Sequence, residues 1–180
     1  MRATLKYALI FSAISIVAKI IMWKMGLLET DASPSFIFFL GALVISIFLA
    51  LNETKSKELT EPTTYLMDLK VAMQSVAYFS VIMALFTYVY YKFIDWEFMF
   101  DKIAERMDAA KKLELTPELN TQNLTKEEFI ESERKLSETL FSASTHATIT
   151  LMAFMVVGTI YSAILTLIIR LSPKFKARSI

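Results

Sequence analysis

Four long apolar segments constrain this chain more than any other feature of its sequence. They lie at about 5–25, 35–51, 70–92 and 147–170. Each approaches the ~20 residues that a helix needs to cross ~30 Å of hydrocarbon. Because lipid cannot hydrogen-bond an open backbone, and because the segments lack the alternation of barrel strands, they are predicted to be helices. The predicted fold class is all-α, an integral membrane four-helix bundle in which residues 1–180 form a single membrane domain.

Composition excludes several classes of function. Hydrophobic residues make up 55% of the chain, its formal charge is only +1, and it has no cysteine and one histidine. A nearly neutral chain lacks the basic surface that binds nucleic acid. Disulfides, cysteine nucleophiles and metal sites with several cysteine or histidine ligands are excluded as well. We therefore predict no catalytic residue, no metal ligand, no cofactor and no nucleic-acid partner. The first segment is expected to be a retained span, not a cleaved signal peptide.

The positions of lysine and arginine predict the orientation. One side of the membrane collects nine basic residues, and it should be the cytoplasm. They are Arg2, Lys6, Lys55, Lys57, Lys70, Arg170, Lys174, Lys176 and Arg178. Both termini are then cytoplasmic, while the turn with Glu29 and Asp31 lies outside. Trp23 and Trp96 fall at the outer interface, where aromatic side chains are enriched.

Residues 93–146 are predicted to form an extracytoplasmic helical hairpin between spans three and four. Its first arm has an apolar stripe at helical period, and its second arm begins with a capping box. The stripe comprises Trp96, Phe100, Ile103, Met107 and Ala110; the box is Thr125 with Glu128, and Glu131 pairs with Lys135. Two interpretations remain open. The stripe packs on the second arm of a solvated connector, or it is a docking surface for a partner.

Lys19 lies inside the first apolar segment and has three interpretations. Its long side chain can reach the outer interface from about five residues inside the span. Alternatively, it lies on a small, polar packing seam with Ser12 and Ser15, which turns it inward toward an acid. Asp95 is one candidate for that acid; the others are Glu97, Glu29 and Asp31. In the third interpretation Lys19 contacts a ligand, since ionisable groups inside membranes often have functions.

Small residues indicate where the fourth span packs against another helix. Gly158 and Ser162 have the small-xxx-small spacing that allows helices to approach closely in lipid. The spacing is common, so it predicts helix packing and no particular partner.

Three stretches resemble a Bacteroidetes family of small four-span membrane proteins, the domain-of-unknown-function family 4199. They are "ATLKYALIFSAISI", "YVYYKFIDWEFMFDKIAERM" and "MVVGTIYSAILTLIIRLSPK". The most distinctive part is the corner with Tyr91, Ile94 and Asp95. The resemblance covers essentially the whole chain and implies a multi-pass protein of the bacterial inner (cytoplasmic) membrane. It carries over no catalytic residue, and it suggests an association with glycosyltransferases that act on lipid-linked sugars.

Together these features predict a non-catalytic accessory or anchoring subunit. Its partners would be the lipid bilayer and another membrane protein, a membrane-bound enzyme or a second copy of the chain. The alternative is a small transporter or lipid-handling protein that uses Lys19 as an anion or headgroup contact.

Overall fold

The structure, a computed structural model, confirms the all-α fold. It describes residues 2–27, 34–57, 64–113 and 125–172, and no strand occurs within these ranges. The helices are α1 (Ala3–Lys24), α2 (Pro34–Lys57), α3 (Tyr65–Val89), α4 (Trp96–Lys112), α5 (Lys126–Leu140) and α6 (Ala143–Leu171), with a π-helical turn at Tyr90–Ile94 between α3 and α4.

Four of these helices are long and apolar enough to cross a membrane. They are α1, α2, α3 with its π-helical turn, and α6. Two of these helices extend beyond the predicted spans: α2 continues past Asn52 to Lys57, and α3 begins at Tyr65, before residue 70. The extra turn of α2 is polar, whereas that of α3 carries Tyr65, Leu66 and Met67 before Asp68. Charged side chains of both turns pair with other helices. Glu53 binds Lys6, and Lys55 binds Asp68.

Local sequence explains where individual helices begin and end. Gly26 follows α1 with a φ of +68°, a left-handed conformation that suits glycine, and the Leu27 N–H donates to the Met22 carbonyl. At the start of α5 the predicted capping box is confirmed. The Glu128 N–H donates to the Thr125 hydroxyl, and the Thr125 N–H donates to the Glu128 carboxylate. The predicted Glu131–Lys135 ion pair is present at 3.7 Å.

The predicted corner after span three is a real break in the helix. The π-helical turn ends at Asp95, whose φ of −122° and ψ of 50° are not helical, and α4 starts at the next residue. The Asp95 N–H donates to the Tyr90 carbonyl, and the Tyr90 hydroxyl donates to Asp95 Oδ2 at 2.9 Å. The chain therefore changes from span to α4 within one residue.

The chain forms two compact units. The first contains residues 1–83 and 150–180, and the second contains residues 84–149. In the first unit the apolar core comes from all four long helices, with Ala8, Leu43, Ile47, Val76, Phe79 and Phe154 among its buried side chains. In the second unit α4 packs against α5. The predicted hairpin, 93–146, lies within this second unit; its extracytoplasmic location stays a prediction.

The predicted stripe on α4 is only partly correct. Ala110 is buried as expected, but Trp96 and Phe100 are at least half exposed, and Met99 is buried in their place. Arg106 lies on the same face of α4 as Met99 and Ala110, at 100° per residue, and it binds Glu133 of α5, so this face is turned toward α5. The connector interpretation thus accounts for part of the stripe and leaves its aromatic side chains uncovered.

Three features of the sequence lie outside the described residues. They are the acidic turn with Glu29 and Asp31, the break between the hairpin arms at 114–124, and most of the basic tail, 173–180.

Candidate functional site at the polar contacts of the spans

The predicted seam on α1 is buried, and its hydroxyl groups bond to their own helix. Ser12 donates to the Leu9 carbonyl at 3.1 Å, and Ser15 donates to the Phe11 carbonyl at 2.8 Å. Both serines are at most 1% exposed, and α1 packs against α2. Hydroxyls that bond to the preceding turn leave a small, smooth helix face, which favours close approach of two helices.

Lys19 is partly buried on the face of α1 that carries Ser12 and Ser15. Its predicted acid, Asp95, belongs to the second unit and accepts a hydrogen bond there from the Tyr90 hydroxyl. Asp95 therefore stabilises the end of the π-helical turn, and its pairing with Lys19 stays a prediction.

A buried ionic cluster, which the sequence did not indicate, joins one end each of α2, α3 and α6; these are the ends predicted to face the cytoplasm. Asp68 in the first turn of α3 is only 3% exposed. Its Oδ2 atom lies 3.0 Å from Lys55 Nζ of α2 and 3.1 Å from Arg170 Nη1 of α6. Thr64 positions the acid by capping α3: its hydroxyl accepts from the Met67 N–H and its carbonyl accepts from the Asp68 N–H.

The electrostatics of this cluster favour a structural clamp. Moving a carboxylate out of water is costly, and the cost is offset only when cations and hydrogen bonds surround it. Lys55 is nearly buried, with 11% of its side chain exposed, whereas the Arg170 side chain is 32% exposed. Both cations reach the same oxygen of Asp68, so the three helix ends are held at one point. At the same end Lys6 binds Glu53 at 3.0 Å and joins α1 to α2.

A second set of polar contacts lies deeper in the first unit. Ser46 of α2 and Ser75 of α3 are fully buried, and their hydroxyl oxygens are 3.1 Å apart. Gly158 of α6 lies against Val76 of α3, so closely that an added Cβ would overlap the valine side chain. Ser162, one turn further along α6, is fully buried too. The structure thus places both predicted small residues inside the bundle.

Comparison with known families gives one result. A family model described as "Protein of unknown function (DUF4199)" matches residues 6–170. The chain belongs to this family. The resemblance seen in the sequence is thereby confirmed, and no curated protein and no solved structure matches the chain.

The matched region of this DUF4199 protein contains every member of the ionic cluster. Lys55, Asp68 and Arg170 all fall within residues 6–170. Sequence reasoning missed the cluster because Asp68 and Arg170 are 102 positions apart. One signal was present: an acid in the first turn of a span, on the side of the membrane where basic residues collect, is expected to find a cation.

The described part of this DUF4199 protein contains no group of three histidine, aspartate or glutamate side chains arranged to hold a metal ion. Its one buried acid, Asp68, is held by two cations. The arrangement suits the joining of helices, because one carboxylate oxygen of Asp68 contacts both Lys55 and Arg170.

Proposed function

We propose that this multi-pass membrane protein is a non-catalytic accessory or anchoring subunit that binds another membrane protein. The supporting observation is that buried polar groups of the spans contact other helices of the same chain. Asp68 joins α2, α3 and α6, and the Ser46–Ser75 hydrogen bond joins α2 to α3. Polar groups that hold helices to one another make a fixed scaffold, which suits an anchoring role.

The second unit offers the surface for a partner outside the membrane. On α5 the acidic side chains Glu127 and Glu131 are exposed, and they lie beside exposed Lys126 and Lys135. Surfaces with both signs of charge select partners and orient them, even where they add little affinity. More specifically, we propose that the partner is a glycosyltransferase that acts on lipid-linked sugars.

Purification in mild detergent tests the proposal. The tagged chain is produced at native level, and co-purifying proteins are identified and quantified by mass spectrometry. We expect a stoichiometric membrane partner. We also expect the charge-reversing variant E127K/E131K to lose it, while E127D/E131D, which keeps both charges, retains it. A preparation that holds the chain alone, as monomer or homo-oligomer, would overturn the proposal.

A transporter or lipid-handling protein that uses Lys19 as its anion contact is the competing function. Lys19→Met separates the two, because methionine keeps the length of the side chain and removes its charge. If the protein is an anchoring subunit, the activity of its assembly should remain in proportion to the amount of Lys19→Met protein in the membrane. If the protein binds an anion through Lys19, that activity should be lost while the variant remains abundant and folded.

A further inference from the structure

Two contacts between the arms of the second unit distinguish the end next to the candidate spans from the opposite end. The rings of Tyr91 and His146 are 5.1 Å apart, and both residues belong to candidate spans. Further along the arms, Arg106 donates two hydrogen bonds to Glu133 at 3.0 and 3.1 Å. The arms are therefore antiparallel. We call the part between these two contacts the base, and the part beyond Arg106 and Glu133 the tip.

Exposed apolar side chains concentrate in the base. Five of them are 39–66% exposed, and we call these the apolar collar. The collar comprises Phe93, Trp96, Phe100, Leu136 and Leu140. In the described part of the tip, Leu113 is the one large apolar side chain that is comparably exposed. It is the last residue that the structure describes before 125. Large exposed apolar patches mark surfaces that something apolar covers.

The collar surrounds the base instead of lining one side of it. Viewed from the N-terminus of α4, Trp96 and Phe100 lie clockwise of the buried Met99, at 100° per residue. Viewed from the N-terminus of α5, Leu136 and Leu140 lie anticlockwise of the buried Ser137. Because the arms are antiparallel, these opposite senses place the two pairs on opposite faces of the hairpin. A hairpin lying flat on a membrane would cover one pair and leave the other in water.

The polar side chains of the base fit the headgroup layer. Lys92 donates to the Tyr88 hydroxyl at 2.8 Å, Lys102 pairs with Glu105, and Arg134 pairs with Glu138. Charges at this density are incompatible with the hydrocarbon core, but they suit the interface, where aromatic rings are also enriched. The tip also exposes charged side chains, which include Asp108, Lys111, Lys112, Lys126, Glu127, Glu128 and Glu131. It differs from the base in having a single exposed large apolar side chain, Leu113, among its described residues.

We propose that the apolar collar sits in the headgroup region of the bilayer, so that the hairpin stands upright with its base in lipid and its tip in water. Continuity with the membrane identifies lipid as the occupant. One candidate span ends at Ile94 and so includes Phe93 of the collar, and the next begins at Ala143, shortly after Leu140. The edge-to-face pair of Trp96 and Phe100, with ring centroids 5.5 Å apart, then forms an interfacial anchor.

Depth-dependent fluorescence quenching tests this arrangement. The chain has two tryptophans, so Trp23→Phe leaves Trp96 as the reporter in the full-length protein. The protein is reconstituted into phosphatidylcholine vesicles with bromine atoms at a shallow or a deep position on the acyl chain. We expect Trp96 to be quenched severalfold, and more by shallow bromines than by deep ones. A matched reporter at the tip, W23F/W96F/K112W, is expected to show little quenching.

Two results would overturn the proposal. Equal quenching of the tip and base reporters would mean that the hairpin lies flat. A Trp96 that neither bromine position quenches would mean that water or protein, including a second copy of the chain, covers the collar. If W23F does not fold, nitroxide labels on F100C and K112C give the same comparison through oxygen accessibility, because the chain has no native cysteine.

Discussion

At Asp68, one carboxylate oxygen holds the ends of three helices together, and the burial of Asp68 determines how much this contact adds to stability. Asp68→Asn keeps the shape of the side chain but removes the negative charge that both Lys55 and Arg170 contact. Removing one member of a buried pair typically costs 3–5 kcal/mol. We expect about 3 kcal/mol here, because the Arg170 side chain is a third exposed. Reversible unfolding in detergent micelles measures the change.

Glu53→Gln is the matched control for Asp68→Asn. It also breaks a 3.0 Å ion pair between helices at the same end of the bundle, but the Lys6 side chain is 45% exposed. Water screens exposed ion pairs, so the control should lower the free energy of unfolding far less than Asp68→Asn does. Equal effects of the two variants would show that Asp68 is not a clamp.

Whether a contact between side chains could be predicted from the sequence depended on how far apart its residues lie along the chain. The Thr125–Glu128 box joins residues three positions apart, and its pattern alone predicted both hydrogen bonds. The Asp68 cluster needs α6 to return to α3, and no periodicity encodes that meeting. In the sequence, Lys55 and Arg170 served only to predict the orientation of the chain in the membrane. The structure shows that they also hold helices together.

Among the helices, the closest contact is between α3 and α6. Gly158→Ala would place a methyl group against Val76, whose branched side chain has little freedom to move. Overpacking of this kind typically costs 1–3 kcal/mol, and we expect a destabilisation of about 2 kcal/mol. Thermal unfolding in detergent measures it. The double variant G158A/V76A should recover most of the loss, since alanine at 76 makes room for the methyl group.

Gly41→Ala on α2 provides the control for that prediction. The site has no atom within 4 Å of an added Cβ, and Gly41 is exposed. Alanine is the better helix former, so this variant should be neutral or slightly stabilising. Loss of stability in both glycine variants would contradict a packing role specific to Gly158.

The start of α5 should depend on pH. Hydrogen bonds from the Thr125 N–H and hydroxyl lower the pKa of Glu128 below its ordinary value of 4.5. A lowered pKa in the folded state means that the cap stabilises the helix above the unfolded pKa, and that this stabilisation is lost as the pH falls through the folded value. Amide exchange at residues 125–129, corrected for intrinsic rates, should therefore rise below about pH 4.5. Glu128→Gln should remove this dependence, and exchange that stays pH-independent in the native chain would contradict it.

The helices show which structural features can be predicted from the sequence. Helical period identified α4 as amphipathic, but the rotation of that helix depends on its neighbour. Arg106 binds Glu133 of α5; Met99, on the same face of α4 as Arg106, is buried, and Trp96 is exposed. A stripe of apolar residues could not distinguish these outcomes, because both faces of the first turns of α4 carry large apolar side chains.

Over the whole molecule, the distribution of charge predicts a topology that neither unit shows by itself. Nine basic residues lie at the ends and connections of the spans on one predicted side of the membrane, and the 93–146 hairpin is predicted to lie on the other. The asymmetry of lysine and arginine in short connections orients multi-pass proteins, whereas long segments contribute little. The hairpin should therefore face outward although it contains basic residues of its own.

Cysteine accessibility tests this topology directly, because the chain has no native cysteine. K112C lies on α4 and S56C near the inner end of α2, both at exposed positions. In intact spheroplasts, a membrane-impermeant maleimide should label K112C at once and S56C only after the membrane is permeabilised. S75C, at a fully buried position, should resist labelling in both cases and controls for leakage of the reagent into the bundle. Labelling of S56C from outside would invert the topology and place the Asp68 cluster on the extracytoplasmic side.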